Sequence, residues 1–547
     1  MPLNATVVEP VAGFLGPVQD YFFSLSTAQR ILLIAVNLPI ISIVLNVVRQ
    51  LVRTVTSSLV NSADTSGLQM PRDKSLPPVV WHWMPWFGST AAYGQNPLGF
   101  FFSCREKYGD VFTFILLGRR VTVCLGPNGN NFIMGGKHTV FSAEDAYSHL
   151  TTPVFGKDVV YDCPNEKLME QKKFVKFGLS TDNFRAYCPM MEEEVTQFMK
   201  TDPSFKVFQM NDINEWGTID VLKAMSEITI LTASRTLQGK EVRSQITKEY
   251  AQVYADLDGG FTPLHWMFKN LPLESYRKRD AAHKKISDFY VDIIRKRKAD
   301  PHSDMEHDII ASLMHQSYRD GHALQDHEVA HIMIALLMAG QHTSSSTGSW
   351  ALLHIADRPD VADELFQEQV KHFRQADGTW RTMEFDDIKN LPVLDTVIRE
   401  TLRMHPPIHS IARAVREDIV VPPTLAAPSE DGRYVIPKGD LVFSSAALTQ
   451  VDPTLWKNAK TWDPARWSDP EGVAQQAYKQ YDDINGAKVD FGFGLFAYLQ
   501  LSMVISTIIR QVELRMGPQG FPEPDYTTMI TLPKKPRDIM YRRRQFD

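Results

Sequence analysis

The period of the apolar positions changes along this chain, and the changes divide it. Residues 31–48, ILLIAVNLPIISIVLNVV, run 18 positions without a charge. That meets the length needed to cross about 30 Å of hydrocarbon as a helix. Residues 71–86, PRDKSLPPVVWHWMPW, carry four prolines and three tryptophans. Proline removes backbone donors and fixes φ, so this stretch cannot be a regular helix, and its tryptophans suit a membrane surface. Residues 111–117 and 121–125 are β-rich runs around Gly118-Arg119-Arg120 and predict a hairpin. Most of 165–405 repeats apolar positions at helical spacing, and strand-like runs return only at 434–443 and 526–532. No internal repeat or low-complexity tract interrupts this order. The pattern predicts a tail and membrane anchor over 1–60, a Pro/Trp-rich hinge over 61–90, and one body over 91–547 that is mainly α with small β-sheets.

Charge adds an orientation. Arg49, Arg53, Arg72 and Lys74 follow the apolar segment while Glu9 and Asp20 precede it, so the positive-inside rule places the large C-terminal part in the cytosol and the short N-terminus in the lumen. Asn4-Ala5-Thr6 is then a glycosylation triplet. The composition, 44% hydrophobic and 22% charged, is that of a globular protein with a large core. A net charge of -6 offers no general basic field, so nucleic acid is not an expected partner. The four cysteines, Cys104, Cys124, Cys163 and Cys188, lack CxxC spacing and argue against a zinc framework or a disulfide scaffold. None lies beyond Cys188.

Three motifs carry chemistry. A long apolar helix is predicted from about Asp326, interrupted at 342–349 by eight small or polar residues. A buried helix carries such a patch where it borders a cavity, or where Ser and Thr hydroxyls bond back to i−4 carbonyls. Glu400-Thr401-Leu402-Arg403 sets two opposite charges at i and i+3, on one helical face, before Pro406-Pro407 stops the helix. By itself that reads as a surface ion pair. Trp462-Asp463-Pro464-Ala465-Arg466-Trp467 follows. Taken in order with Ala339-Gly340-Gln341-His342-Thr343, these motifs resemble those of the haem-thiolate monooxygenases, cytochromes of the P-450 type, and the resemblance runs from about residue 71 to the end. The stretch 147–173, YSHLTTPVFGKDVVYDCPNEKLMEQKK, is similar to the signature of fungal sterol 14α-demethylases.

The resemblance implies a P-450 fold behind a transmembrane helix, haem as cofactor, and oxidative removal of the 14α-methyl group of lanosterol or eburicol. Oxygen and NADPH-derived electrons, delivered by a flavoprotein reductase, would drive it at the endoplasmic reticulum membrane. It assigns Tyr147, Tyr161, Lys172 and Arg413 to the haem propionates, groups suited to carboxylates as phenols and fixed cations. Thr343, His342 and Asp258 would deliver protons, a histidine titrating near the required pH and a carboxylate orienting its ring. Glu400, Arg403 and Arg466 would form a structural charge triad. Thr151, Phe155, Phe261 and Met529 would line the sterol cavity, with core packing as the alternative for the apolar ones.

One part of the pattern is missing. The family places a cysteine, the thiolate ligand of the iron, in a loop directly before a helix. Here Asp490 to Gly494 is similar to the segment before that loop, and Phe496-Ala497-Tyr498-Leu499-Gln500-Leu501 to the interior of the helix after it. A stretch of a couple of dozen residues, ligand included, is therefore expected to be deleted between Leu495 and Phe496, which leaves no protein ligand for the iron. The alternatives to an active enzyme are a mis-spliced product, or a membrane protein that binds sterol or reductase without turnover.

Overall fold

The computed structural model describes residues 21–60, 76–210, 214–246, 248–299, 308–422, 425, 434–469, 472 and 492–545. The Asn4 triplet, the first part of the hinge and the Asp490-Phe491 pair lie outside them. The first helix, α1, is Thr27–Val60. Within it Thr27–Val52 is, among the described residues, the one stretch long and apolar enough to cross a membrane, and none of its most apolar window is buried in the protein. The helix outruns the expected 31–48 because a charge such as Arg49 ends a hydrocarbon span but not a helix. Its polar residues reach the hinge. Asn46 Nδ2 donates to the carbonyls of His82 (3.1 Å) and Trp83 (3.2 Å), and the His82 N–H donates to Gln50 Oε1 (3.0 Å). Trp81, Trp83 and Trp86 stay exposed.

The predicted hairpin forms with a tighter turn than expected. Its strands are β1, Val111–Leu116, and β2, Arg119–Cys124. Leu117 (φ 47°) and Gly118 (φ 79°) alone make the turn, a pair of positive φ values that suits the twist of a two-residue hairpin. Arg119 and Arg120 therefore belong to the strand, paired with Leu116 and Ile115. With β3 (Phe141–Ser142), β5 (Ile411–Val415) and β6 (Leu441–Ser444) they build a five-stranded sheet in the order β1-β2-β6-β5-β3. The β2–β6 pair is parallel and the others antiparallel. A second sheet sets β8 (Asp538–Arg543) between β4 (Gly217–Asp220) and β7 (Val512–Met516).

Two strand expectations need correction. The run 434–443 is broken into Val435–Ile436 and the start of β6, because Pro437 and Gly439 (φ 90°) turn the chain between them. Of 526–532 only Leu532 is in a strand, pairing with Asp525. The Thr527 N–H and hydroxyl both donate to Asp525, and the Thr528 hydroxyl donates to the Ile530 carbonyl, so local side-chain bonds replace the ladder.

The body is helical, as the periodicity predicts. Its principal helices are α2 (Ala143–Phe155), α3 (Asn165–Gly178), α4 (Thr181–Thr201), α5 (Val221–Ala233), α6 (Lys248–Asp258), α7 (Glu274–Ala299), α8 (Asp326–Asp357), α9 (Pro392–Met404) and α10 (Gly492–Gln511). At 32 residues α8 is buried along most of its length and forms the axis of the main core. Gly348 lets α5 approach it closely, since a Cβ there would lie 2.3 Å from Met225 Cε. Fully burying each Leu, Ile or Met along this seam is worth about 1.5–3 kcal/mol. That makes α8 a rigid support for what opens at its middle.

Candidate active site

Halfway along α8 the burial is interrupted. Ala339 is exposed, and a Cβ placed on Gly340 would meet no heavy atom within 4 Å. Thr343 borders this space, its hydroxyl donating to the Ala339 carbonyl at 2.8 Å. The polar patch realises the back-bonded reading of its sequence and begins beside this opening. At Ala339 to Thr343 it faces open space. Further on, the Ser349 hydroxyl bonds back to the Ser345 carbonyl (2.6 Å), and Ser346 donates to the Thr531 carbonyl (2.7 Å). His342 sits at the edge of the opening with Nε2 2.8 Å from Asp258 Oδ1, an ion-pair distance although its N–H does not point along that line. The imidazole stacks on Tyr254 at 6.4 Å, and the Tyr254 hydroxyl donates to Gln341 Oε1. Sequence reasoning missed Tyr254. Its signal was the four-residue spacing to Asp258 on α6, which sets both on one face.

A second cluster forms where α2, α3 and β5 meet. The Ala412 N–H donates to the Tyr147 hydroxyl (2.8 Å), and Tyr147 stacks on Tyr161 at 5.7 Å. Burial pushes the Tyr147 phenol up to about 12, so it stays a neutral donor. Arg413 Nη1 donates to the Ala412 carbonyl (2.8 Å). Lys172 lies close enough to feel its charge: partial desolvation first, and Arg413 second, draw the lysine below its ordinary range. Among the described residues neither cation has a carboxylate within ion-pair distance. Two phenols and two cations with no carboxylate partner among the described residues have the chemistry to accept carboxylates.

The proposed sterol-lining residues come together in part. Phe155 tilts against Phe261 at 5.7 Å, and Phe261, Met529 and Tyr147 pack on one apolar cluster. Thr151 is buried on α2, its hydroxyl spent on the Tyr147 carbonyl (3.1 Å). The charge triad is a buried assembly and not a surface pair. Arg403 donates to both oxygens of Glu400 (2.9 and 2.8 Å), Arg466 Nε to Oε1 (2.9 Å), and Trp467 Nε1 to Oε2 (3.0 Å). Glu400 is 0% exposed. Trp467 is a further member, foreshadowed only by its place beside Arg466.

Haem fits part of this arrangement. The Tyr147-Tyr161-Lys172-Arg413 cluster suits its propionates, and the open side of α8 suits a flat group lying against it. An axial thiolate does not fit. All four thiols are buried, and desolvation raises Cys104 to about 11 and Cys124, Cys163 and Cys188 to about 12, so each is protonated at neutral pH. Cys163 hydrogen-bonds to Val160 and Gln171, and Cys188 to the Phe184 carbonyl. At the junction, α10 runs unbroken through Leu495, 39% exposed, and Phe496, 3% exposed. Its grip on the core begins at Phe496, which packs on Tyr187 at 6.4 Å, and continues with Tyr498 donating to Asp395 and Gln500 Nε2 to Thr232 Oγ1 (2.7 Å).

The chain's relatives agree with the motif order. A family profile for cytochrome P450 matches residues 77–541. A lanosterol 14-alpha demethylase of Mycosarcoma maydis is 46% identical over 92% of this chain and 91% of its own. A sterol 14-alpha demethylase of Aspergillus sclerotiorum is 45% identical over 86% and 93%, and a lanosterol 14-alpha demethylase of Candida tropicalis 40% identical over 96% and 97%. A cyanobacterial CYP120A1 structure with retinoic acid bound shares the fold at a TM-score of 0.70, covering 86% of this chain and 100% of its own at 19% identity. The chain therefore belongs to the cytochrome P450 family, among its fungal sterol 14-alpha demethylases.

Proposed function

We propose that the activity of this chain's family, oxidative removal of the 14α-methyl group of lanosterol or its 24-methylene relative, is the function for which this site is built, and that the chain with its present sequence binds sterol without turning it over. The observation that carries the first part is the pairing of a carboxylate receptor (Tyr147, Tyr161, Lys172, Arg413) with an opening on α8 beside Thr343. The second part rests on a sequence with no cysteine after Cys188 and on four protonated, buried thiols. When bound through a thiolate, haem supplies oxygen activation, the thiolate pushing electron density toward the iron.

The residues present contribute binding, orientation and protons. Lys172 and Arg413 neutralise carboxylates that a neutral pocket could not hold, while the tyrosine hydroxyls fix their direction. Phe155, Phe261 and Met529 give the sterol an apolar wall. Half-buried Asp258 holds the His342 imidazole, which passes protons from the solvent side toward the Thr343 hydroxyl. In a chain whose iron ligand is restored a reductase supplies electrons from the cytosolic side, and α1 anchors the molecule in the endoplasmic reticulum membrane by a single pass.

The test has two arms. The chain, expressed with haem supplied, reduced and treated with carbon monoxide, should lack the long-wavelength Soret band of thiolate ligation. A variant with a family-type cysteine loop inserted between Leu495 and Phe496 should show that band and, with reductase, convert lanosterol. A band in the original chain overturns the missing-ligand reading. A thiolate spectrum without conversion in the repaired chain overturns the sterol reading.

A further inference from the structure

A cleft of ≈ 490 Å³, containing none of the residues assigned to the reaction, opens between α4, α10 and the end of β8. Its lining holds four cations, Lys200, Arg510, Arg543 and Arg544, against one acid, Glu192. They come from three separate elements, so the cluster is a product of folding and not a charged run in the chain.

The floor is Arg510, whose side chain is 3% exposed. Its Nε donates to Gln369 Oε1 (3.1 Å) and its Nη1 reaches the Arg381 carbonyl at 3.4 Å and Glu192 at 3.5 Å. Its Nη2 has no hydrogen-bond partner among the described residues. A guanidinium this deep is costly unless its donors are used. Burial lowers its affinity for its proton, to about 10, which still leaves it charged at neutral pH. Burial also raises the Glu192 carboxyl, weakening the one opposing charge. Arg544 spends Nε on the Ile509 carbonyl (2.8 Å) and lies 3.8 Å over the Phe366 ring, which fixes its plane. Nearby Glu513 is taken by Arg542 at 2.7 Å. Lys200 and Arg543 stand exposed at the rim, in no ion pair among the described residues. Trp380 forms an apolar wall.

We propose that this cleft binds a phosphate-bearing anion, its phosphate held by Lys200, Arg543 and Arg544 above the unsatisfied guanidinium of Arg510. Fixed guanidinium planes match phosphate oxygens two at a time, and a lysine adds a point charge. Trp380, with Arg510 at 5.6 Å over its ring, closes the apolar side. Such a ligand is either a free molecule or a phosphorylated lipid headgroup, and the chemistry of the cleft is common to both.

The full chain in detergent micelles, at low ionic strength, should take up inorganic pyrophosphate or AMP in isothermal titration, or bind a phosphorylated inositol lipid, and not phosphatidylcholine, mixed into the same micelles. Binding of either soluble probe assigns the cleft to a free ligand, and binding of the inositol lipid alone to a headgroup. The double variant K200Q/R543Q, whose changes are at exposed positions, should weaken the observed binding about tenfold. The proposal is overturned if no probe binds, or if the double variant binds as tightly as the parent. Because the readout is binding and not turnover, the result is independent of whether the chain ligates haem.

Discussion

Glu400 is the residue whose environment differs most from what its spacing implied. An i,i+3 pair on a solvated face contributes little, but here the carboxylate is fully buried and shared by Arg403, Arg466 and Trp467. Replacing Glu400 by Gln leaves Arg403 buried with no counter-charge, a loss of about 3–5 kcal/mol. Arg466→Met should cost less than half as much, because that side chain is 12% exposed and water replaces its partner. Denaturant titration of the full chain in micelles measures both, and equal losses would mean that burial does not set the order. His342 and Asp258 call for the opposite kind of test. In a chain repaired with a cysteine loop, His342→Ala or Asp258→Asn should slow sterol conversion about 10²-fold, the usual share of a positioned proton carrier. Sterol affinity, read from the spectral shift on binding, should stay unchanged. A loss of affinity equal to the loss of rate would make the pair structural.

At the scale of elements, α8 and α9 are joined by two histidines. His354 on α8 and His405 just after α9 place their Nε2 atoms 3.0 Å apart, between Trp462, Trp350 and Phe521. One ring must donate and the other accept, so at least one is neutral. Burial, then the Arg403 charge, lower His405 from its usual 6.5 to about 3. A depressed histidine binds fewer protons folded than unfolded, so stability is full above pH 6.5 and is lost as pH falls from there toward 3. Between pH 6.5 and 5 the loss from His405 alone should be about 2 kcal/mol. Denaturation midpoints at those two values check it, and His405→Gln should flatten the difference. A profile as steep in that variant as in the parent would exclude His405 as the source. The same scale explains how α10 can start at Gly492. Its lasting ties, Tyr498 to Asp395 and Gln500 to Thr232, lie past the junction, so the helix keeps its seat in the core.

For the whole molecule the question is how body and membrane are joined. The anchor is clasped to the hinge by Asn46 and Gln50, and Trp81, Trp83 and Trp86 lie exposed nearby. Removing residues 1–60 should convert a protein that resists alkaline carbonate into one that carbonate washes off membranes, held only by interfacial tryptophans. Residues 1–60 fused to a soluble reporter should resist carbonate. If the truncated chain resists it and the fusion does not, α1 is not the anchor.

Much of this plan was legible before folding. Periodicity identifies the apolar span, the helical body and the hairpin because those signals are local, set by side-chain alternation over a few residues. The order of short motifs identifies the family, and the list of cysteines shows that none follows Cys188, since both are properties of the chain itself. What only the tertiary structure decided was which groups meet and how deeply they are buried. Tyr147, Lys172 and Arg413 converge from three elements, Glu400 becomes a buried hub, the 526–532 run gives way to side-chain bonds, and Lys200, Arg510 and Arg544 collect around one cleft. Burial and long-range proximity depend on how distant elements pack, and a residue's neighbours in sequence do not encode them.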